Sequence, residues 1–246
     1  MCRTYHNHCQ ELTLSQSQPL SHSSVKSADR PFVVLVHGLH QSAWVMSPLA
    51  KQLQSRGFAT YQHNYHSLRD SIEQHSISLN TWLSDNHNPA IPINLVGHSL
   101  GGLVIRDFIS RFAQWKIARC VTLGTPHNGS TTAEYVNKLV SPLVGNAYKQ
   151  ALDGQSAPLK KGISLGVIAG NSPYGLGQLV LNYHKKKSKL AHPQCEHDGT
   201  VYVFETQLAQ ATDHILLPVS HTGMLINQVV AEQTAYFLDH GMFKRR

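Results

Sequence analysis

The sequence predicts an α/β fold, a mostly parallel sheet of about six strands with helices on both faces. Three observations predict it. Short apolar, β-branched runs such as "FVVLV" have the character of strands buried on both faces. The segments between them carry apolar residues at helical spacing. The two kinds alternate along the chain, and 246 residues are enough for one domain with a sizeable core.

The elements follow in order. "FVVLVHG", after Pro31, is the first strand. "SAWVMSPLAKQLQSRG" is the first helix, with Trp44, Leu49, Ala50 and Leu53 at helical spacing and Gly57 ending it. "FATYQHNY" is the second strand, and "SIEQHSISLNTWLSDN" the second helix, with Ile72, Ile77, Leu79 and Leu83 toward one side. "INLVGH" and "SLGGLVIRDFISRFAQW" form the third strand and helix, and "CVTLGTP" the fourth strand. "ISLGVIAGN" and "HILLPVS" are two more strands before a last helix, "MLINQVVAEQTAYFLDH". No internal repeat interrupts the pattern.

Two stretches do interrupt it, residues 127–161 and 172–197. Insertions at strand ends are commonly binding loops or lids. The first carries Val136, Leu139, Val140 and Leu143, the second Leu176, Leu179, Val180 and Leu181. Either set can line an apolar pocket or cover ordinary core. Leu176 and Leu179 are taken as candidate pocket residues.

Composition narrows the class. The chain is 41% hydrophobic and 14% charged, as in an ordinary soluble protein, with a net charge of +7. Its basic residues are scattered apart from "KKKSK" at Lys185 to Lys189 and "FKRR" at the end. No aromatic residues interleave with these clusters, which argues against nucleic acid and leaves a solvated surface or a peripheral contact with anionic membrane. No apolar run is long enough to cross a bilayer. Residues 1–30 are polar and Ser/Gln-rich, without the apolar core of a secretory signal, and read as a flexible arm before a domain over residues 31–246. Cys2, Cys9, Cys120 and Cys195 have no C-x-x-C spacing. Cys120 reads as a buried core residue, Cys2 and Cys9 with His6 and His8 make only a weak metal signal, and the thiols are expected to be reduced in the cytoplasm. No metal is expected.

The chemistry is carried by Gly97-His98-Ser99-Leu100-Gly101, a G-x-S-x-G between a strand and a helix. The strand must become a helix within one residue, and side chains at the two glycines would strike their neighbours. Ser99 is lifted to the tip, against a helix N-terminus. A serine hydroxyl needs a base. Among 17 histidines, His221 follows the last strand at the carboxyl edge of the sheet, where ligands bind in such folds. His214 precedes that strand, His98 should point away from the site, and His37 beside Gly38 reads as part of a turn. His127, after the fourth strand, is a candidate for the pocket wall. The base needs a carboxylate. Asp198 in "EHDGTV" lies between a late strand and His221, Glu196 is its nearest rival, and Asp213 sits at the opposite edge. Backbone donors for an oxyanion are expected at Leu100 and at Leu39, with His40 second and also a pocket candidate.

With "LVHGLHQSAWVM", "NLVGHSLGG", "LGTPHNGS", "DGTV" and "DHILLPVSHTGML", the chain resembles an α/β-hydrolase of the lipase/esterase kind over nearly everything after Pro31. "LGTPHNGS" is similar to the segment after the fourth strand in bacterial lipases and in deacylases acting on lipid anchors. The resemblance implies cofactor-free hydrolysis of a small-molecule or lipid ester through an acyl-enzyme, with Ser99, Asp198 and His221 as triad. An acyltransferase, thioesterase or amidase on the same triad, or a non-catalytic binding protein, are the alternatives. The chain departs from the pattern in lacking the two usual leading strands and a secretion signal, and in its small lid region.

Overall fold

The computed structural model describes residues 30–139, 151–175 and 177–245. The expected N-terminal arm, with Cys2, His6, His8 and Cys9, lies outside the described residues apart from Arg30.

The strands are β1 (Phe32–Val36), β2 (Thr60–His63), β3 (Ile93–His98), β4 (Ile117–Leu123), β5 (Leu165–Gly170) and β6 (Asp213–Leu217). The α-helices are α1 (Ser47–Gln54), α2 (Ile72–Asn86), α3 (Leu100–Arg111), α4 (Thr131–Leu139), α5 (Gln178–Lys187) and α6 (Gln228–His240). One sheet has the order β2-β1-β3-β4-β5-β6, and every neighbouring pair is parallel. The expected architecture is the observed one.

Side chains alternate across β1 and divide the core into two layers. Val34 and Val36 pack with Ile72, Leu79 and Leu83 of α2 and with Leu103 and Phe108 of α3. Val33 and Leu35 pack with Leu49 and Leu53 of α1 and with Val230 and Phe237 of α6. Each such side chain withdrawn from water contributes about 1.5–3 kcal/mol, and both faces of β3 and β5 are buried along their whole length.

Helix ends are set by local chemistry. At the start of α2, Ser71 Oγ accepts the Gln74 amide at 3.3 Å and Gln74 Oε1 accepts the Ser71 amide at 2.8 Å. Asn227 Oδ1 caps α6 by accepting the Val229 and Val230 amides, and Gly241 ends it in the left-handed region at φ 75°.

Two helical expectations are corrected. The first helix does not begin at Ser42. Residues Ala43–Met46 form a 3-10 turn, α1 starts at Ser47 with Pro48 in its first turn, and Trp44 is 74% exposed. In α2 the buried side is Ile72, His75, Ser76, Leu79 and Leu83, while Ile77 faces solvent. Five residues at 100° each put Ile77 well off the stripe that Ile72 begins.

The chain leaves β1 for β2 at one edge and then crosses back to β3 on the other side of β1. That reversal opens a crevice beyond the carboxyl ends of β1 and β3. Val36 of β1 is in register with Gly97 of β3, so the loops after the two strands meet.

Candidate active site

At the end of β3 the backbone turns on Ser99, which has φ 54° and ψ −122°. A residue with a side chain is strained there. The corner holds because its neighbours leave it no alternative. A Cβ on Gly97 would lie 2.6 Å from the Gly102 nitrogen, and one on Gly101 only 2.2 Å from the Val36 carbonyl oxygen. The Ser99 amide donates to the Leu123 carbonyl at 2.8 Å, and Thr125 Oγ1 donates to the Ser99 carbonyl at 2.9 Å. Leu100 opens α3, so its amide is among those with no acceptor inside the helix.

His221 follows β6, and its Nδ1 lies 2.7 Å from Asp198 Oδ2. Its amide also donates to the Asp198 carbonyl at 2.8 Å. The carboxylate is buried and fully engaged, with Oδ1 accepting the Thr200 and Val201 amides at 3.0 and 2.8 Å. With Nδ1–H donating to the carboxylate, Nε2 is left with its lone pair free. Asp198 reaches this position although α5 separates it from β5. Gly170 at the end of β5 lets it approach, since a Cβ there would sit 3.0 Å from the Asp198 Cβ.

The rivals lie elsewhere. Glu196 pairs with exposed His192 at 2.6 Å. Asp213 at the start of β6 pairs with Arg245 and accepts the Phe243 amide, tying down the C-terminal segment at the opposite edge. His214 meets Thr206 Oγ1 there at 3.2 Å. His37 is buried in the turn, with Nδ1 donating to the Gly38 carbonyl at 2.9 Å and its ring stacked on Tyr65 at 4.2 Å. His98 points behind the corner, its Nε2 donating to the His221 carbonyl at 3.0 Å. Burial first, and the neighbouring His221 next, pull its pKa down to about 3.

A cavity of about 720 Å³ opens over Ser99 and His221. Its walls are mostly apolar, with Leu39, Ala133, Val136, Leu152, Val180 and Val201 among them. The loop after β1 forms one side, with Leu39, His40 and Gln41. His40 takes a left-handed backbone at φ 56°. Gln41 Oε1 accepts the Gly38 amide at 2.8 Å and fixes the loop next to Ser99.

The expected pocket residues divide. His40 lines the cavity. His127 does not: it is buried beneath, where Arg106 Nη1 donates to its Nδ1 at 3.3 Å and to its carbonyl at 3.0 Å, and Nε2 meets Thr122 Oγ1 at 3.0 Å. Burial, then the Arg106 charge, lower its pKa to about 3, so it stays neutral and pinned. Leu179 faces solvent at 83% exposure, while its neighbour Val180 turns into the cavity. Leu176, Val140 and Leu143 lie outside the described residues, as does the side chain of Leu139.

Four contributors escaped the sequence reading. Gln41 acts through the Gly38 amide and His98 Nδ1, at 2.8 and 3.3 Å, and Thr125 through the Ser99 carbonyl, which no spacing announces. Gly124, at φ 57°, leaves room for the pair: a Cβ there would be 2.9 Å from His221 Nδ1 and 3.0 Å from Asp198 Oδ2. Buried Glu205 accepts the Thr131 amide at 2.5 Å and the Tyr202 amide at 2.8 Å, joining the start of α4 to the segment after Asp198. No group of three or more His, Cys, Asp or Glu side chains able to hold a metal occurs among the described residues.

An all-parallel sheet in this order, with the serine corner at the crevice and the histidine–carboxylate pair beyond later strands, defines the class as α/β-hydrolase. The likeness to the mature lipase BlEst2 of Bacillus licheniformis agrees on the fold: TM-score 0.70 at 20% identity, over 91% of this chain and 96% of that one. The chain belongs to the palmitoyl protein thioesterase family, which matches residues 32–159, just over half of its length. It is also 30% identical to a triacylglycerol lipase of Burkholderia plantarii over 139 residues, 52% of this chain and 38% of that enzyme. A triacylglycerol lipase of Pseudarthrobacter phenanthrenivorans is 32% identical over 124 residues, 46% of this chain and 39% of that enzyme. The matches thus span about two fifths of those lipases' own length.

Proposed function

We propose that residues 31–246 form the catalytic domain of a carboxylic ester hydrolase acting on acyl or lipid-like esters. Ser99 Oγ attacks the acyl carbon while His221 Nε2 takes its proton. Asp198 holds the imidazole in the required tautomer and stabilises the imidazolium. The tetrahedral oxyanion is met by the Leu39 and Leu100 amides. Collapse expels the alcohol, which takes the proton back from His221. Water, deprotonated by the same nitrogen, then releases the acid from Ser99. The observation that carries the reading is that strained Ser99 and the Asp198-bonded His221 open on one cavity with apolar walls.

The family match gives a second reading, in which the scissile bond is a thioester. The same residues serve both, since a thiolate is the better leaving group and asks less of His221 as acid.

The test is hydrolysis of p-nitrophenyl esters from acetyl to palmitoyl, beside a palmitoyl thioester, by the wild-type chain and Ser99→Ala. Loss of the nucleophile should lower kcat by about 10⁴-fold or more with the melting temperature retained. Near wild-type turnover by Ser99→Ala would sink the assignment.

A further inference from the structure

Helix α5 turns two kinds of side chain to solvent. Leu179 and Tyr183, four residues apart and so on one face, are 83% and 57% exposed. Tyr174, just before the helix, is 72% exposed. Lys185, Lys186 and Lys187 close the helix and Lys189 follows, all of them exposed. Lysines at a helix C-terminus favour the dipole, but that does not account for three large apolar side chains held in water beside them.

The other face of α5 is fastened. Leu181 is buried, and His184 meets the Tyr202 hydroxyl through Nδ1 at 3.3 Å and lies edge-on to Tyr135 of α4 at 5.8 Å. Val180 and Gly177 line the cavity over Ser99. The helix that carries the exposed face thus also forms part of the cavity wall. Glu134 on α4 pairs with Lys138, and among the described residues none of these four lysines is in an ion pair. They add to a chain of net charge +7.

We infer that the outer face of α5 is a docking surface for an anionic lipid membrane. Leu179, Tyr174 and Tyr183 enter the headgroup region, where a tyrosine ring has an apolar body and a wet hydroxyl. The lysines meet the acidic headgroups. The charge selects the lipid and the apolar residues hold the helix against it. This surface is separate from the chemistry at Ser99 and stands whether or not Ser99 turns over an ester.

The experiment is co-sedimentation of the full chain with vesicles of phosphatidylcholine alone and of phosphatidylcholine with phosphatidylglycerol, at low and at high salt. The wild-type chain and Ser99→Ala should bind the anionic vesicles equally and lose them at high salt, as screening requires. The triple variant Lys185→Gln, Lys186→Gln, Lys187→Gln should bind them roughly a hundredfold more weakly at an unchanged melting temperature. Leu179→Ser with Tyr183→Ser should also weaken binding. Equal binding to neutral and anionic vesicles, binding to neither, or wild-type binding by the triple variant would overturn the inference. Retention on an acidic protein column but not on anionic vesicles would overturn it too, in favour of a protein partner.

Discussion

His98 and His221 are linked by a hydrogen bond of 3.0 Å from the ring of the first to the backbone carbonyl of the second. The residue beside the serine thus holds the main chain of the histidine that shares its cavity. Their rings lie 4.7 Å apart, centre to centre.

Replacing His98 with Phe keeps a ring in that space and leaves the His221 carbonyl without its donor. An unsatisfied buried acceptor costs about 1–3 kcal/mol of stability. A displaced His221 should lower kcat about tenfold, since misplacement by an ångström can cost more. Thermal melts and steady-state ester hydrolysis measure the two effects. An unchanged kcat would mean that Asp198 alone positions His221.

Gly124→Ala should be far more damaging than its size suggests. The added Cβ lies within 3.0 Å of both His221 Nδ1 and Asp198 Oδ2, on backbone at φ 57°. A loss of kcat of about a hundredfold or more is expected, on the same ground of misplacement. Gly162→Ala is the control. It also has positive φ, at 85°, but nothing within 4 Å of the new Cβ. It should cost about 1–2 kcal/mol of stability and leave kcat alone.

Gln41→Ala removes the acceptor for the Gly38 amide and loosens the loop that carries Leu39. Losing an oxyanion donor outright costs about 10²–10³ in kcat. On the proposed role of the Leu39 amide, a donor that is loosened should cost less, about tenfold, with KM nearly unchanged. A rise in KM at constant kcat would instead assign Gln41 to ground-state binding through the cavity it lines.

Acidification should unfold the protein. Burial lowers the pKa of His63 and His75 to about 4, and of His98 and His127 to about 3. The unfolded chain takes up these protons near pH 6.5 and the native chain does not, so stability falls as pH drops from about 6.5 toward 4. Glu205, raised by burial to about 7, acts in the opposite sense over part of that range. Four histidines against one carboxylate decide the direction. One pKa unit is worth about 1.4 kcal/mol, so their combined effect is comparable with a native stability of about 5–15 kcal/mol. Among the described residues, His75 has no hydrogen-bond partner at either ring nitrogen. His75→Leu should therefore move the acid midpoint, followed by circular dichroism, to lower pH.

What the sequence made legible was whatever depends on neighbours in the chain. Strands show as β-branched runs, and the corner at Ser99 shows because its glycines must stand two residues to either side. The edge of the sheet on which a residue falls could be counted from strand ends, which brought Asp198 and His221 to one place and sent Asp213 and His214 to the other. Contacts between distant segments were illegible. His127 leaves the expected wall because Arg106, 21 residues earlier, takes hold of it. Leu179 and Val180 are adjacent and equally apolar, and only the packing of α5 decides which of them meets the cavity. Trp44 lies outside the core because Pro48 begins α1 later than the apolar spacing suggested.

Ser99 and His221 stand at the ends of β3 and β6, whereas Val136, Leu152 and Val180 belong to the two segments inserted between strands. In the proposed reaction, the bond to be broken and the shape allowed to approach it are therefore written in different stretches of the chain. The corner itself is held by β1, α3 and the end of β4, through Val36, Gly102 and Leu123. Side chains such as Val136 and Val180 can therefore vary the shape of the cavity from outside the elements that hold Ser99 and His221.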